Sequence, residues 1–121
     1  MISHVTVYTA KLTETVEFYQ WLLGLPVSNK IDRAEGTIIF LGEDETKFEI
    51  IQDQNAGSVD AKGLTIGFAV DDLDQKLALL ESKEIPHSEI IAPTPVVRFA
   101  FFTDLNGCSI QLFEHKSETG A

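Results

Sequence analysis

Ser3-His4-Val5-Thr6-Val7-Tyr8, near the start of the chain, is matched in the second half by Leu64-Thr65-Ile66-Gly67-Phe68-Ala69. A helical run follows each stretch, and Phe48-Glu49-Ile50-Ile51 then corresponds to Ile110-Gln111-Leu112-Phe113. The chain is therefore predicted to be an internal duplication. A fold built twice from one unit would place four equivalent positions around a pseudo-twofold axis, and here they are His4, Glu49, Thr65 and Gln111.

The length of the chain supports one domain made of two halves. A chain of 121 residues can bury a sizeable core, whereas each half alone would be marginal. We expect a single domain over residues 1–121, with modules at 1–53 and 63–115 and a linker at 54–62 that is rich in turn-forming residues. Residues 116–121 are polar and are predicted to form a flexible tail.

The charge balance excludes some classes of partner. The net charge of −10, from 19 acidic and 9 basic residues, argues against nucleic acid, which is bound through Lys and Arg contacts to phosphate. An acidic cleft would attract a cationic ligand, although the charge is also typical of a protein that is simply soluble.

The location of the protein is predicted from its cysteine content and hydropathy. Cys108 is the single cysteine, so no intrachain disulfide forms and a reducing compartment is expected. No apolar stretch reaches the roughly 20 residues that span a bilayer, and no secretion signal is visible. We expect a cytoplasmic protein without a membrane partner.

Each half has the periodicity of a β-α-β-β-β unit. Val5 and Val7 alternate with His4, Thr6 and Tyr8, which is the pattern of a half-buried strand. A helix is predicted from an N-cap at Thr13 to a stop at Gly24, and a second helix follows an N-cap at Asp72.

The predicted fold class is α+β, with two tandem βαβββ modules whose curved sheets surround a cleft. One face of each sheet is apolar and is expected to cover the helices. The other faces would line the cleft, and they carry His4, Thr6, Tyr8, Glu49, Thr65, Gly67, Ala69 and Gln111.

Several stretches resemble the vicinal oxygen chelate superfamily, which includes glyoxalases, bleomycin-resistance proteins and ring-cleaving dioxygenases. The most specific is the helix end Phe18-Tyr19-Gln20-Trp21-Leu22-Leu23-Gly24. Phe102-Thr103-Asp104-Leu105-Asn106-Gly107 is similar to the family's Asp-Pro-Asp-Gly-Asn turn, and Val70-Asp71-Asp72-Leu73 also fits. The resemblance covers nearly the whole chain and implies paired modules, usually in a homodimer.

The resemblance also implies a set of metal ligands from the first and last strands of each module. Carried over, these are His4, Glu49, Thr65 and Gln111. Thr65 and Gln111 depart from the family's His and Glu, and their neutral oxygens are weaker donors for a transition metal. If a metal binds, His4, Glu49 and Gln111 are the predicted ligands, and Glu49 is the candidate catalytic carboxylate.

Three functions follow from this pattern. The leading hypothesis is a bleomycin-resistance-like protein that binds a small molecule, with no cofactor or with a weakly bound divalent ion of zinc, nickel, manganese or iron. The alternative is a metal-dependent lyase or isomerase similar to lactoylglutathione lyase, or a dioxygenase-like enzyme, that uses His4 and Glu49. The third is a passive interaction module with a filled cleft.

Other polar and aromatic side chains are assigned with alternatives. Arg98 is a candidate ligand-binding residue that would clamp a carboxylate or phosphate, but we favour a role in balancing Glu49. His87 and His115 are predicted to be surface histidines. Aromatic candidates for the cleft are found among five residues, of which most are expected in the core and Tyr8 is kept as a ligand-binding candidate: Tyr8, Trp21, Phe99, Phe101 and Phe102.

Overall fold

A computed structural model describes residues 1–43 and 46–116, and the chain divides into two compact units, Met1–Ser58 and Val59–Ala121. The division lies within the predicted linker 54–62. Asp44 and Glu45 of a predicted turn and all of the predicted tail except Lys116 lie outside the described residues. In the described part of the chain, no helix is long and apolar enough to cross a membrane.

Unit 1 contains one helix and a four-stranded sheet in the order β1-β4-β3-β2. β1 pairs in parallel with β4, and the other neighbours are antiparallel. The elements are β1 (His4–Thr9), α1 (Leu12–Leu23), β2 (Val27–Ile31), β3 (Ile38–Leu41) and β4 (Lys47–Gln52).

Unit 2 repeats this arrangement, with the sheet order β5-β8-β7-β6 and a parallel pair formed by β5 and β8. The elements are β5 (Ile66–Ala69), α2 (Leu73–Ser82), β6 (Ile91–Thr94), β7 (Val97–Thr103) and β8 (Ser109–His115). The predicted α+β class with two βαβββ modules is confirmed.

The helix of each unit packs on one face of its own sheet, as the alternation predicts. In unit 1, Phe48 and Ile50 are buried, and the Phe48 ring meets Tyr19 of α1 edge-on at 4.9 Å. In unit 2, Ile110 and Leu112 are fully buried on the corresponding face. The side chains between them along β4 and β8 therefore point to the opposite, open face.

Two of the three predicted helix ends are confirmed, and one predicted N-cap is wrong. Gly24 ends α1 with a φ of 65°, and Asp72 caps α2 by accepting a hydrogen bond from the backbone N–H of Gln75. The predicted N-cap at Thr13 is wrong, because α1 begins at Leu12 after Lys11. The Thr9 hydroxyl accepts a hydrogen bond from the Lys11 N–H and stabilises this earlier start.

A buried ion pair joins the sheet of unit 2 to its helix. The Glu114 side chain is only 2% exposed, and it accepts hydrogen bonds from Arg98 Nε at 3.0 Å and from the Leu73 N–H at 2.8 Å. Arg98 also donates to Asp74 at 2.9 Å. Burial alone would raise the pKa of Glu114, but the hydrogen bonds from Arg98 and Leu73 outweigh it and lower that pKa.

A second polar contact fixes the segment that follows α2. His87 Nε2 lies 2.7 Å from Glu81 Oε2, and its Nδ1 lies 2.6 Å from the Ser88 carbonyl oxygen. The imidazole side chain is only 16% exposed, so the prediction of a surface histidine is wrong for His87. The Ser88 and Glu81 hydrogen bonds raise the pKa of His87, although partial burial opposes them.

We predict that Glu114→Gln destabilises the protein by roughly 3 kcal/mol, because it removes one partner of a buried pair and leaves Arg98 without its carboxylate. Since the folded-state pKa of Glu114 is lowered, this stabilisation is present above the pKa of the unfolded chain. It is lost as pH falls through the folded value. Urea unfolding of both proteins from pH 7 to pH 3 checks this, and a difference that stayed constant over that range would contradict it.

The His87 contact predicts the opposite pH dependence. Its raised pKa means that the stabilisation is present below the unfolded pKa of about 6.5 and is lost as pH rises through the folded value. The difference in unfolding free energy between wild type and His87→Gln should therefore shrink between pH 5.5 and pH 9. The same variant of the exposed His115 is the control, and an equal pH response in both variants would contradict the assignment.

Candidate functional site

The strand register of unit 1 gathers the predicted site residues on the open face of its sheet. Thr6 of β1 lies opposite Glu49 of β4, and Phe40 of β3 lies opposite the same Glu49 on its other side. His4 lies opposite Lys47 in the same parallel pair. These side chains share one face because paired residues of neighbouring strands point the same way.

Glu49 is the central polar group of this face. Its side chain is 12% exposed, and the Thr6 hydroxyl donates a hydrogen bond to its Oε1. His4 Nε2 lies 3.6 Å from the same oxygen, and His4 Nδ1 is 3.0 Å from the Ser3 hydroxyl. A largely buried carboxylate with these partners is stabilised against the cost of desolvation and stays available to a further donor.

Apolar side chains share this face with the polar neighbours of Glu49. The Phe40 ring meets the His4 ring edge-on at a centroid distance of 6.0 Å. Ile38 and Ile51 pair with each other across β3 and β4 on the same face. Tyr8, a predicted ligand-binding residue, lies near the end of β1 on the same face as Thr6 and is 55% exposed.

The donor set of this face does not fit a tightly held divalent metal. His4 and Glu49 are two donors, whereas protein sites for such ions supply three or four. Among the described residues, no group of three or more His, Cys, Asp or Glu side chains is placed to hold an ion. Gln111 belongs to β8 of the other unit, and its role as a third ligand stays a prediction.

The corresponding face of unit 2 has different chemistry. The Thr65 hydroxyl lies 2.8 Å from the Ser109 hydroxyl, and Gly67 lies opposite Gln111. A Cβ at position 67 would come within 3.1 Å of the Gln111 Oε1. The absence of a side chain at Gly67 therefore leaves room for the Gln111 amide to lie over β5.

Three phenylalanine rings share the open face of the sheet with Gln111, and Phe101 is its partner in the strand register. Phe99 meets Phe101 edge-on at 5.7 Å and is nearly parallel to Phe113 at 6.3 Å. These rings are half-buried on the open face, whereas Phe102 is buried on the other. The core was predicted correctly for Phe102 but not for Phe99 and Phe101.

Arg98 has a structural role in this arrangement. It lies on the helix side of β7, opposite Glu114 of β8, and it pairs with Glu114 and Asp74. This placement corrects the expectation that Arg98 balances Glu49. It also separates Arg98 from Gln111, which lies on the open face of the same sheet.

Cys108 and His115 add nothing to the site. Cys108 is buried, and burial together with the charge of Asp104 raises the pKa of its thiol to about 11, so a reactive thiolate is not favoured. His115 is exposed at the end of β8. Sequence reasoning missed Phe40, because its place beside Glu49 follows from the register of β3 and β4.

Comparison with known proteins places this geometry in a family. Residues 1–112 match the model of the Glyoxalase/Bleomycin resistance protein/Dioxygenase superfamily, whereas comparison with curated proteins finds no match. A glyoxalase family protein from Enterococcus faecalis is 23% identical with a TM-score of 0.73, covering 94% of this chain and 97% of its own.

Two further solved structures have named activities. The trypanothione-dependent glyoxalase I of Leishmania major is 24% identical with a TM-score of 0.76, over 94% of this chain and 86% of its own. The antibiotic-binding protein TnmS3 from a Streptomyces species is 18% identical with a TM-score of 0.74, over 96% of each chain. With a family match over residues 1–112 and a duplicated βαβββ fold, the chain belongs to the Glyoxalase/Bleomycin resistance protein/Dioxygenase superfamily.

Proposed function

We propose that this protein binds a small organic molecule on the open face of unit 1, without a tightly bound catalytic metal. The observation that carries the proposal is Glu49, a carboxylate that is 12% exposed and held by Thr6 among apolar neighbours. A site of this kind suits a ligand with an apolar body and one polar group.

The chemistry of the face favours a cationic group on the ligand. The Glu49 carboxylate accepts hydrogen bonds and carries the negative charge at the centre of the face, while Lys47 lies beside His4 towards its edge. The ring of Phe40 and the exposed ring of Tyr8 present π faces that attract cations. The net charge of −10 adds a long-range attraction for the same class of ligand.

The similar solved structures include both a binding protein and an enzyme. TnmS3 is an antibiotic-binding protein, and the Leishmania enzyme is a glyoxalase. The two-donor set of His4 and Glu49 supports the binding function, since the neutral Thr65 and Gln111 occupy the positions that the family's ligands would take. We also propose that the protein forms a homodimer, as the family resemblance implies, and that it is located in the cytoplasm.

A direct test uses benzylammonium as the probe and benzyl alcohol as its uncharged counterpart. We expect benzylammonium to bind more tightly, and Glu49→Gln to weaken its binding by about tenfold, because a hydrogen bond to a charged group contributes about 1.5–3 kcal/mol. Calorimetry measures both affinities. Glu17→Gln, on the exposed side of α1, is the control and should change neither. Equal affinities for the two probes would contradict the cationic preference.

Metal binding is tested separately by elemental analysis and by calorimetric titration with Ni²⁺, Zn²⁺ and Mn²⁺. We expect no stoichiometric binding at micromolar concentrations, because two donors hold a divalent ion weakly. Stoichiometric micromolar binding that disappears in His4→Ala or Glu49→Ala would refute the metal-free function.

A metal-dependent lyase or isomerase is the second candidate, and the 3.6 Å approach of His4 Nε2 to Glu49 Oε1 is the observation that favours it. A dioxygenase is disfavoured, because its two-His-one-carboxylate set needs a second histidine. An assay of hemithioacetal turnover with Ni²⁺, Zn²⁺ and Mn²⁺ in turn distinguishes this enzyme from a binding protein. Turnover that is abolished in Glu49→Gln would establish the enzyme, and its absence with all three supports binding alone.

A further inference from the structure

We propose that His87 is a pH-sensitive latch, which holds the segment before β6 (residues 86–90) against β7 while its imidazole ring is protonated and releases this segment when the ring loses a proton. The latch lies on the helix side of the unit 2 sheet. His87 reaches Glu81 of α2, and it forms a β-bridge with Phe102, whose side chain is buried on the helix side. The latch therefore belongs to the connection between α2 and β6.

Both ring nitrogens of His87 face oxygen atoms. Nε2 lies 2.7 Å from Glu81 Oε2, and Nδ1 lies 2.6 Å from the Ser88 carbonyl oxygen. A carboxylate and a carbonyl only accept hydrogen bonds, so both contacts are satisfied when both nitrogens carry hydrogen. A neutral imidazole has one N–H group, and its other nitrogen would place a lone pair against an oxygen. The closed arrangement therefore requires the imidazolium.

Glu81 is the charged group that faces this ring. Its carboxylate forms an ion pair with His87, and its hydrogen bond adds to that of the Ser88 carbonyl in raising the pKa of His87, against partial burial. The ring therefore loses its proton above the ordinary pKa of about 6.5.

The other side chains near His87 add no opposing charge at short range. From β7 and the start of β8, the neighbours that line the same groove are uncharged: Phe101, Phe102, Thr103 and Ser109. Along the connection itself, three charged residues are exposed to solvent, which screens their charges: Lys83, Glu84 and Glu89. The protonation of His87 therefore depends chiefly on its contacts with Glu81 and Ser88.

Ser88 ties the same segment to β7 by hydrogen bonds. Its N–H donates to the Phe101 carbonyl at 2.8 Å, and its hydroxyl accepts from the Phe101 N–H at 2.8 Å. Ile90, at the end of the segment, is 38% exposed, so burial of its side chain adds little. Release of the segment would pass the Phe101 N–H and carbonyl to water, which can satisfy both groups.

The turn that leads into the segment is held in an unfavourable conformation. Glu84 has a φ of 57°, a left-handed conformation that is costly for a residue with a Cβ. This turn follows the end of α2, where the Ile85 N–H donates to the Leu80 carbonyl at 2.9 Å, and it returns the chain so that His87 reaches Glu81. Strain of this kind persists only where surrounding contacts hold it. Loss of one His87 contact therefore favours opening.

The test measures the mobility of Cα atoms in the full chain by ¹³C NMR relaxation at pH 6 and pH 9. We expect the order parameters of residues 86–90 to fall from about 0.85 to below about 0.6, whereas Leu112, in the core of the sheet, stays near 0.85. The midpoint should coincide with the titration of the His87 ring signals. A segment that stays rigid while His87 titrates, or an equal loosening at Leu112, would overturn the proposal.

Glu81→Gln separates the latch from a general effect of pH. The glutamine amide can donate to a neutral Nε2 while the Nδ1–H still donates to the Ser88 carbonyl, so the segment should stay closed at pH 9 with order parameters above about 0.8. The Glu81 side chain is 65% exposed, so this change leaves the core intact. Release at the same pH as in the wild type would refute the role of Glu81.

His87→Ala removes the latch at every pH. We expect residues 86–90 to be mobile at pH 6 as well as at pH 9 in this variant. His115→Ala, at the exposed end of β8, is the matched control and should keep the wild-type transition. An ordered segment in His87→Ala at pH 6, or a lost transition in His115→Ala, would contradict the assignment of the latch to His87.

Discussion

The parallel pairing of the first and last strands in each unit is the constraint on which the site depends. It places Thr6 beside Glu49 in unit 1 and Gly67 beside Gln111 in unit 2. A shift of one residue in either register would turn these side chains towards the helix and bring core residues to the open face. The buried Ile50 and Leu112 resist such a shift, because exposing them would cost the hydrophobic stabilisation of the core. The apolar face of each sheet therefore positions the polar face.

Two carboxylates show how the same chain stabilises buried charge in different ways. Glu114 is held by Arg98 and by the N–H of Leu73 at the start of α2. Such a pair is fully engaged, and its two charges leave little attraction for a ligand. Glu49 is held by the neutral hydroxyl of Thr6 and faces His4 at 3.6 Å. Among the described residues no arginine pairs with Glu49, so its charge is less compensated than that of Glu114.

The sequence predicts the fold well because the fold depends on local signals and on the repeat. Alternating Val5 and Val7, the stop at Gly24 and the cap at Asp72 each follow from the conformational preferences of single residues. The partners of polar side chains depend instead on register and on which face a residue occupies. Arg98 illustrates this, since its alternation with Ala100 places it with Glu114 on the helix side, while charge alone suggested Glu49.

The same reasoning explains why β6 and the aromatic face were harder to predict. The strand Ile91–Thr94 is exposed along its whole length and contains Pro93, so it has neither the alternation nor the donors of an interior strand. Phe99 and Phe101 have the residue type of a core but face the open side of the sheet. Aromatic residues in strands are favoured in both settings, and only the alternation with buried Ala100 and Phe102 distinguishes them.

The divergence of the two halves has a chemical consequence. After duplication, equivalent positions hold His4 and Glu49 in one unit and Thr65 and Gln111 in the other, so one open face keeps an ionisable pair and the other becomes aromatic and neutral. A metal centre needs several charged or strongly basic donors at one point, whereas ligand recognition benefits from separate polar and apolar surfaces. With neutral side chains at Thr65 and Gln111 and the rings of Phe99, Phe101 and Phe113 on its open face, unit 2 offers fewer strong metal donors than unit 1.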